Sequence, residues 1–206
     1  MFLSLFFVSS LFAQDGAIFK DLRTYYDACG VVGKNDPKFE ACNPSNMNQI
    51  MEGFKKDPKN IETMNKISRF HMTHSLQSHG KLSLLAIYSA MSKEKKIKKS
   101  YPIDLTPFKD AWGYNSKFVI TLAPACKSKT SLDLGQKIEN TRAELATIKE
   151  TLEELKKSYP CPDSKKGFMA FAVGVVDPTG KSDVWMINEK NEMKMIRSST
   201  GRTPFD

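Results

Sequence analysis

The sequence contains four cysteines, which can form disulfides or bind a metal: Cys29, Cys42, Cys126 and Cys161. An even number of cysteines is typical of disulfide-bonded proteins in oxidising compartments. Three pairings are possible, but Cys29 and Cys42 are close in the chain, whereas Cys126 and Cys161 flank one predicted helix. We therefore favour these two pairs. A zinc site is the alternative, but no two cysteines have the short spacing that zinc knuckles use.

Five lysines form a second group, at the end of a predicted long helix: Lys93, Lys95, Lys96, Lys98 and Lys99. Positive side chains interact favourably with a helix C-terminus, so the cluster has a structural interpretation. The chain also has a net charge of +8, which favours contact with anionic lipid or polysaccharide surfaces. We predict an anionic-surface site at these lysines and do not expect a nucleic-acid partner.

Metal-binding and catalytic motifs are the next chemistry to consider. His71 and His74 have the i, i+3 spacing of helical metal ligands, but no acid or cysteine completes the set. The sequence contains no Gly-x-Ser-x-Gly motif and no glycine-rich phosphate loop. We therefore expect no catalytic residue, no metal and no cofactor, and we do not expect an enzyme.

Residues 1–13 are uncharged and mostly apolar, and they end in the small residue Ala13. This stretch is shorter than the roughly 20 residues that cross a bilayer, and it resembles a signal peptide cleaved after Ala13. A buried N-terminal helix or strand is the alternative. A signal peptide places the protein outside the cytoplasm, either in the periplasm or secreted, where disulfides form. No stable membrane span is expected.

The rest of the chain divides into a short helical annex, residues 14–56, and one domain, residues 57–206. Pro58 follows the capping acid Asp57 and predicts the start of a long helix that continues to about Lys93. Gly80 is a weak point in it, costing about 1 kcal/mol relative to alanine. Turn signals and β-forming residues then predict four strands, and a helical pattern interrupts them within residues 131–159. The predicted strands are 118–122, 168–176, 183–188 and 193–197.

Three segments of this domain resemble the globular head of type IV pilins and pseudopilins. Gln77–Ala90, with Ala86-Ile87-Tyr88, is similar to the second half of the long pilin helix. Trp112–Asn115 and Ala123–Cys126 resemble the pilin segment that leads into the sheet. Phe168–Gly174 and Asp183–Glu189 resemble the closing strands of the pilin sheet. In the second of these, pilins often have Asp-x-Trp-Thr-Ile. The match covers Gln77 to Ile196, with residues 131–159 as an insertion.

The resemblance implies an α+β fold in which a long N-terminal helix packs on a small antiparallel sheet completed by the Trp185 hairpin. It also implies a noncatalytic structural or adhesive role, with pilus or cell-envelope components as partners, and a variable contact region between Cys126 and Cys161. In some pilin-like heads the turn that corresponds to Asp177, Thr179 and Asp183 holds calcium, but Pro178 and Lys181 dilute its acidic character here, so we expect an ordinary hairpin turn. Residues 17–76 differ from the family pattern because they are too polar for a lipid-embedded helix. We therefore expect a relative that lacks the usual prepilin helix. A periplasmic binding or adaptor protein for an anionic ligand is the alternative.

Overall fold

The computed structural model describes residues 52, 56, 58–109 and 116–200. The predicted signal peptide, nearly all of the annex and the Cys29–Cys42 pair lie outside the described residues, as do residues 112–115. The chain divides into two units, Met1–Arg69 and Phe70–Asp206.

The first unit is described mainly by the beginning of helix α1, Pro58–Lys98. Here an exposed i, i+4 ion pair joins Lys66 to Glu62 at 3.0 Å, and the Thr63 hydroxyl donates to the carbonyl of Lys59. Proline at the first position has a fixed φ and lacks the N–H that a helix start leaves unpaired. The predicted start of the long helix is therefore confirmed, and the helix ends five residues later than predicted, at Lys98.

The second unit contains a four-stranded antiparallel sheet whose spatial order follows the chain. The predicted antiparallel arrangement is confirmed, and three of the four strands have the predicted bounds. The strand predicted at 168–176 is shorter, because only its middle pairs with both neighbours. The strands are β1 Phe118–Leu122, β2 Met169–Gly174, β3 Asp183–Asn188 and β4 Met193–Arg197.

Helix α1 packs on one face of this sheet. Leu84, Ile87 and Met91 are fully buried in one core with side chains of β1 and β2, such as Phe118. A Cβ atom at Gly80 would lie 2.9 Å from the Phe118 ring, so glycine allows this ring to pack directly against the helix backbone. The residue predicted as a weak point therefore has a packing role.

A second helix, α2 (Arg142–Ser158), packs on the opposite face. Ile148 and Leu155 are buried there against β-strand side chains, including Phe171 and Val184. Thr141 begins the helix with a capping box, in which its hydroxyl accepts from the Glu144 amide and the Glu144 carboxylate accepts from the Thr141 amide. The sheet thus lies between two helices.

The helix predicted within 131–159 occupies only the later part of that segment. Gly135 has a φ of 88°, and residues 131–136 form turns that bond to the outer edge of β1. Ser131 exchanges two hydrogen bonds with the Ile120 backbone, and the Gln136 amide donates to the Phe118 carbonyl. These bonds replace the helical ones that the leucine spacing predicted. Among the described helices, none is both long enough and apolar enough to span a bilayer.

Candidate contact surfaces

The predicted lysine site lies at the end of α1, and Lys95 is bound within the protein. Its ammonium donates to the carbonyl of Lys99 at 2.9 Å and to the carbonyl of Lys165 at 2.6 Å. It also lies 4.9 Å from the centre of the Tyr101 ring, within cation–π range. Lys95 therefore joins the end of α1 to the loop that precedes β2.

Two further lysines of the cluster also have partners on α1. Lys98 forms an ion pair with Glu94 at 2.7 Å, and the Lys99 ammonium donates to the carbonyl of Lys96 at 3.2 Å. Lys99 has a φ of 61°, so the backbone leaves the helix there. Lys93 and Lys96 are exposed, and within residues 58–109 and 116–200 neither has an ion-pair partner. These two ammonium groups are the members of the cluster that can bind an external anion.

The same end of the molecule carries lysines that sequence reasoning missed. The Tyr101 amide donates to the Ser164 carbonyl at 2.8 Å, which places Lys165 and Lys166 beside the end of α1. Both side chains are exposed. The only sequence signal was the adjacent Lys-Lys pair, because their position beside α1 depends on contacts about 70 residues apart.

The predicted disulfide between Cys126 and Cys161 is present, with a Cα–Cα distance of 4.7 Å. It closes the segment that contains α2, for which the resemblance predicts a contact role. The outward face of α2 carries both acidic and basic side chains. Its exposed charged residues are Arg142, Lys149, Glu150, Glu153, Glu154, Lys156 and Lys157.

A shallow apolar hollow of about 10 Å³, room for roughly one water molecule, lies beside this disulfide and is lined partly by Ile103, Leu122 and Phe168. Small-molecule sites usually enclose about 300 to 1,000 Å³ and place several polar groups toward the ligand. Its lining surface is mostly apolar. The hollow therefore gives no support for a small-molecule site.

Asp183 belongs to a buried polar cluster that the sequence did not predict. One carboxylate oxygen accepts from the Gln77 side chain at 2.9 Å and from the Ser199 amide at 2.8 Å, and the other accepts from the Ser199 hydroxyl at 2.7 Å. Burial raises the pKa of Asp183, although these hydrogen bonds oppose the shift. The cluster attaches residues 199–200 to α1.

The turn before Asp183, considered above as a calcium site, is closed by its own hydrogen bonds. Asp177 accepts from the Thr179 amide at 2.8 Å, and Gly180 has the positive φ that such a turn needs. Asp183 is fully buried, and both of its oxygens already accept hydrogen bonds. In residues 58–109 and 116–200, no group of three His, Cys, Asp or Glu side chains could hold a metal ion.

The other residues considered for chemistry lie on or beside α1. His74 stacks on Phe70 with ring centres 4.2 Å apart. Partial burial lowers the pKa of His74, and electrostatic interactions with Lys81 and His71 lower it further. The Lys81 ammonium lies 4.3 Å from the Trp185 ring centre, so α1 covers part of this half-buried side chain.

The chain was compared with protein-family models, curated proteins and solved structures, and none of the three comparisons found a significant match.

Proposed function

We propose that this protein is an exported, noncatalytic, pilin-like structural or adhesive module that acts through surface contacts. One observation carries the proposal. Gln77–Ala90 and Asp183–Glu189, two segments on which the resemblance rests, are in direct contact through Lys81 and Trp185. A long helix therefore lies on the antiparallel sheet at the tryptophan strand, and this supports the proposal because the resemblance implies such packing. The disulfide supports export, because such bonds persist in oxidising compartments.

The contact surface in this proposal is the segment closed by Cys126 and Cys161. Its helix α2 is fixed to the sheet by buried Ile148 and Leu155, so the outward face is held by a rigid element. A rigid face that carries both acidic and basic side chains favours binding of a partner whose charges are opposite at the matching positions. A pilus or cell-envelope component with a complementary surface is the proposed partner.

Export is tested by measuring the intact mass of the protein recovered outside the cytoplasm, with and without reductant. We expect the mass of residues 14–206 and a gain of hydrogens on reduction. A full-length, fully reduced cytoplasmic protein would overturn the export part of the proposal.

The contact role is tested by charge reversal on α2. Glu150→Lys should lower the fraction of protein retained on the cell envelope by at least about threefold, since a reversed charge in a complementary interface repels the partner. Glu62→Lys is the matched control, because Glu62 is also exposed but lies outside the segment closed by Cys126 and Cys161. Equal retention of both variants and the wild type would contradict the use of this face.

A second candidate, binding of an anionic ligand in the periplasm, is favoured by the exposed Lys93 and Lys96. They lie near Lys165 and Lys166 at the same end of the molecule. Replacing Lys93 and Lys96 by Glu should abolish retention on heparin, an anionic glycan, at low salt. This pair leaves the internal contacts of Lys95, Lys98 and Lys99 in place.

The control for this experiment is Lys149→Glu with Lys157→Glu, which changes the net charge equally on α2. Loss of retention only in the α1 variant supports a site, and equal loss in both variants indicates a general charge effect and contradicts it. Retention that does not change with salt would also contradict it.

A further inference from the structure

The outward side of α1 carries a continuous row of exposed side chains that contains no Lys, Arg, Asp or Glu. The row is called the seam here, and every member is exposed, including Leu82 at 63% and Leu85 at 43%. The spacings along it are 4, 3, 4, 3 and 4 residues, which keep it on one side of a helix. Its members are His71, Ser75, Ser78, Leu82, Leu85 and Ser89.

The absence of charge is unusual for a long exposed helix in a chain with 26% charged residues. From Phe70 to Ser92 the only Lys, Arg, Asp or Glu is Lys81. Lys81 is half-buried, with its ammonium over Trp185 on the sheet side. The seam therefore exposes two leucines without the surrounding charges that usually keep a helix surface hydrated.

The order of side chains in the seam is complementary to itself. Consider two antiparallel copies of α1 related by a two-fold axis at residue 80. Each residue of one copy then lies opposite the residue of the other copy for which the two numbers add to 160. This arrangement places Leu82 opposite Ser78 of a second copy, and Leu85 opposite Ser75. His71 lies opposite Ser89 in the same arrangement. Each large side chain meets a small one, so the side chains of the two copies can interdigitate.

We propose that the seam binds the seam of a second copy of this chain, with the two α1 helices antiparallel around a two-fold axis near Gly80. The closed symmetry of a two-fold interface makes each contact occur twice. This inference does not depend on export or on the resemblance to pilins.

The charges on α1 favour the antiparallel orientation. A parallel pair would place Lys93 and Lys96 of both copies side by side. An antiparallel pair centred on residue 80 separates the two Lys93 side chains by 26 residues, about 40 Å along the helices. This exceeds the Debye length of about 8 Å at physiological salt, so the two clusters would not repel each other appreciably.

Sedimentation equilibrium of the full-length protein tests the proposal. We expect a dimer that dissociates at micromolar concentrations, because one helix pair buries less than the roughly 800 Å² per partner of stable interfaces. Leu82→Glu should raise the dissociation constant at least about 100-fold, because a tenfold effect acts twice in a two-fold dimer. Far-UV circular dichroism should remain unchanged, because Leu82 is exposed.

Ile103→Glu is the matched control, because Ile103 is exposed to 64% but lies outside the seam. It should leave the dissociation constant unchanged. A wild-type protein that stays monomeric up to about 1 mM, near the weakest affinities such measurements detect, would overturn the proposal. A dimer that Leu82→Glu leaves intact, or that Ile103→Glu also dissociates, would overturn it too.

Cysteine cross-linking tests the orientation. The double variant Ser75→Cys, Leu85→Cys should form a covalent dimer, since these positions oppose each other across the two-fold axis. Within one helix they are about 15 Å apart, too far for an internal disulfide. Ser75→Cys alone should not cross-link in an antiparallel pair. Cross-linking of the single variant, or none in the double variant, would overturn the antiparallel arrangement.

Discussion

The two helices contact opposite faces of the same sheet, but their outward sides differ in kind. The outward side of α2 carries both acidic and basic residues and has no large exposed apolar side chain. The seam of α1 exposes Leu82 and Leu85 and contains no Lys, Arg, Asp or Glu. Because both helices bury an apolar side against the sheet, burial within the chain does not explain the difference. This difference indicates that the outer surfaces of the two helices suit different partners. The surface of α2 suits a charged partner, and the surface of α1 suits an apolar one.

The disulfide should matter more to the α2 side of this comparison than to the α1 side. Cys126 and Cys161 close a loop over a sequence separation of 35, while α1 lies outside it. Replacing both cysteines by Ala should lower the free energy of unfolding by about 3 to 4 kcal/mol through the entropy of the unfolded loop. Amide hydrogen exchange should quicken in α2 more than in α1. Equal acceleration in both helices would show that the disulfide stabilises the whole sheet.

The buried contacts of the two helices should have similar strength. Ile87 of α1 and Ile148 of α2 are both fully buried. Changing either one to Ala should lower the free energy of unfolding by about 2 to 4 kcal/mol, because each leaves a cavity. Urea unfolding at low protein concentration measures this loss. Leu85→Ala is the exposed control, and it should lower the free energy of unfolding by less than about 0.5 kcal/mol. A cost below about 1 kcal/mol for Ile148→Ala would mean that α2 is only loosely attached.

The polar groups buried beside the two helices also differ. On the α2 side Thr151 and Ser182 share a neutral hydrogen bond of 2.9 Å, whereas the α1 side buries the carboxyl of Asp183. Asp183→Ala should cost about 1 to 3 kcal/mol, because it leaves the Gln77 and Ser199 donors unpaired.

Asp183→Asn should instead change the pH dependence. Burial raises the pKa of Asp183, so the folded state binds this proton more tightly than the unfolded state. In the wild type, stability should therefore fall as the pH rises from about 4, the ordinary pKa of Asp, through the raised pKa. Asn does not titrate, and its profile should be flatter over this interval. Urea unfolding from acidic to neutral pH measures the difference, and parallel profiles would contradict the raised pKa.

The smallest expected effect concerns the beginning of α2. Thr141→Ala removes the hydroxyl of the capping box and should lower the free energy of unfolding by about 1 kcal/mol. Thr147→Ala, within the same helix, should have a smaller effect, because its hydroxyl makes only a long bond of 3.4 Å to the Ala143 carbonyl. Thermal unfolding followed by circular dichroism compares the two. Equal losses would argue against a specific role for the cap.

Much of the fold could be predicted because its signals are local. Pro58 marks the helix start, and runs of β-forming residues between turns give the bounds of β1, β3 and β4. The sequence predicted that α2 begins too early, because Leu134 and Ile138 have helical spacing. Their segment bonds to β1 instead, and that contact is not local in sequence.

The candidate site was less predictable than the fold. Sequence grouped five lysines, but the contact of Lys95 with the Lys165 carbonyl depends on a chain separation of 70 residues. Burial of Asp183 likewise depends on Gln77, 106 residues away. The kinship with pilins and the roles of the surfaces stay predictions for the experiments above.

The hydrogen bonds from residues 131–136 to β1 have a consequence for the protein at high concentration. An exposed edge strand offers its backbone groups to any other extended chain and can seed aggregation. At β1, Ser131 and Gln136 already bind the backbone groups of Ile120 and Phe118. A foreign strand would first have to displace both side chains, so this edge is protected against growth of the sheet into aggregates.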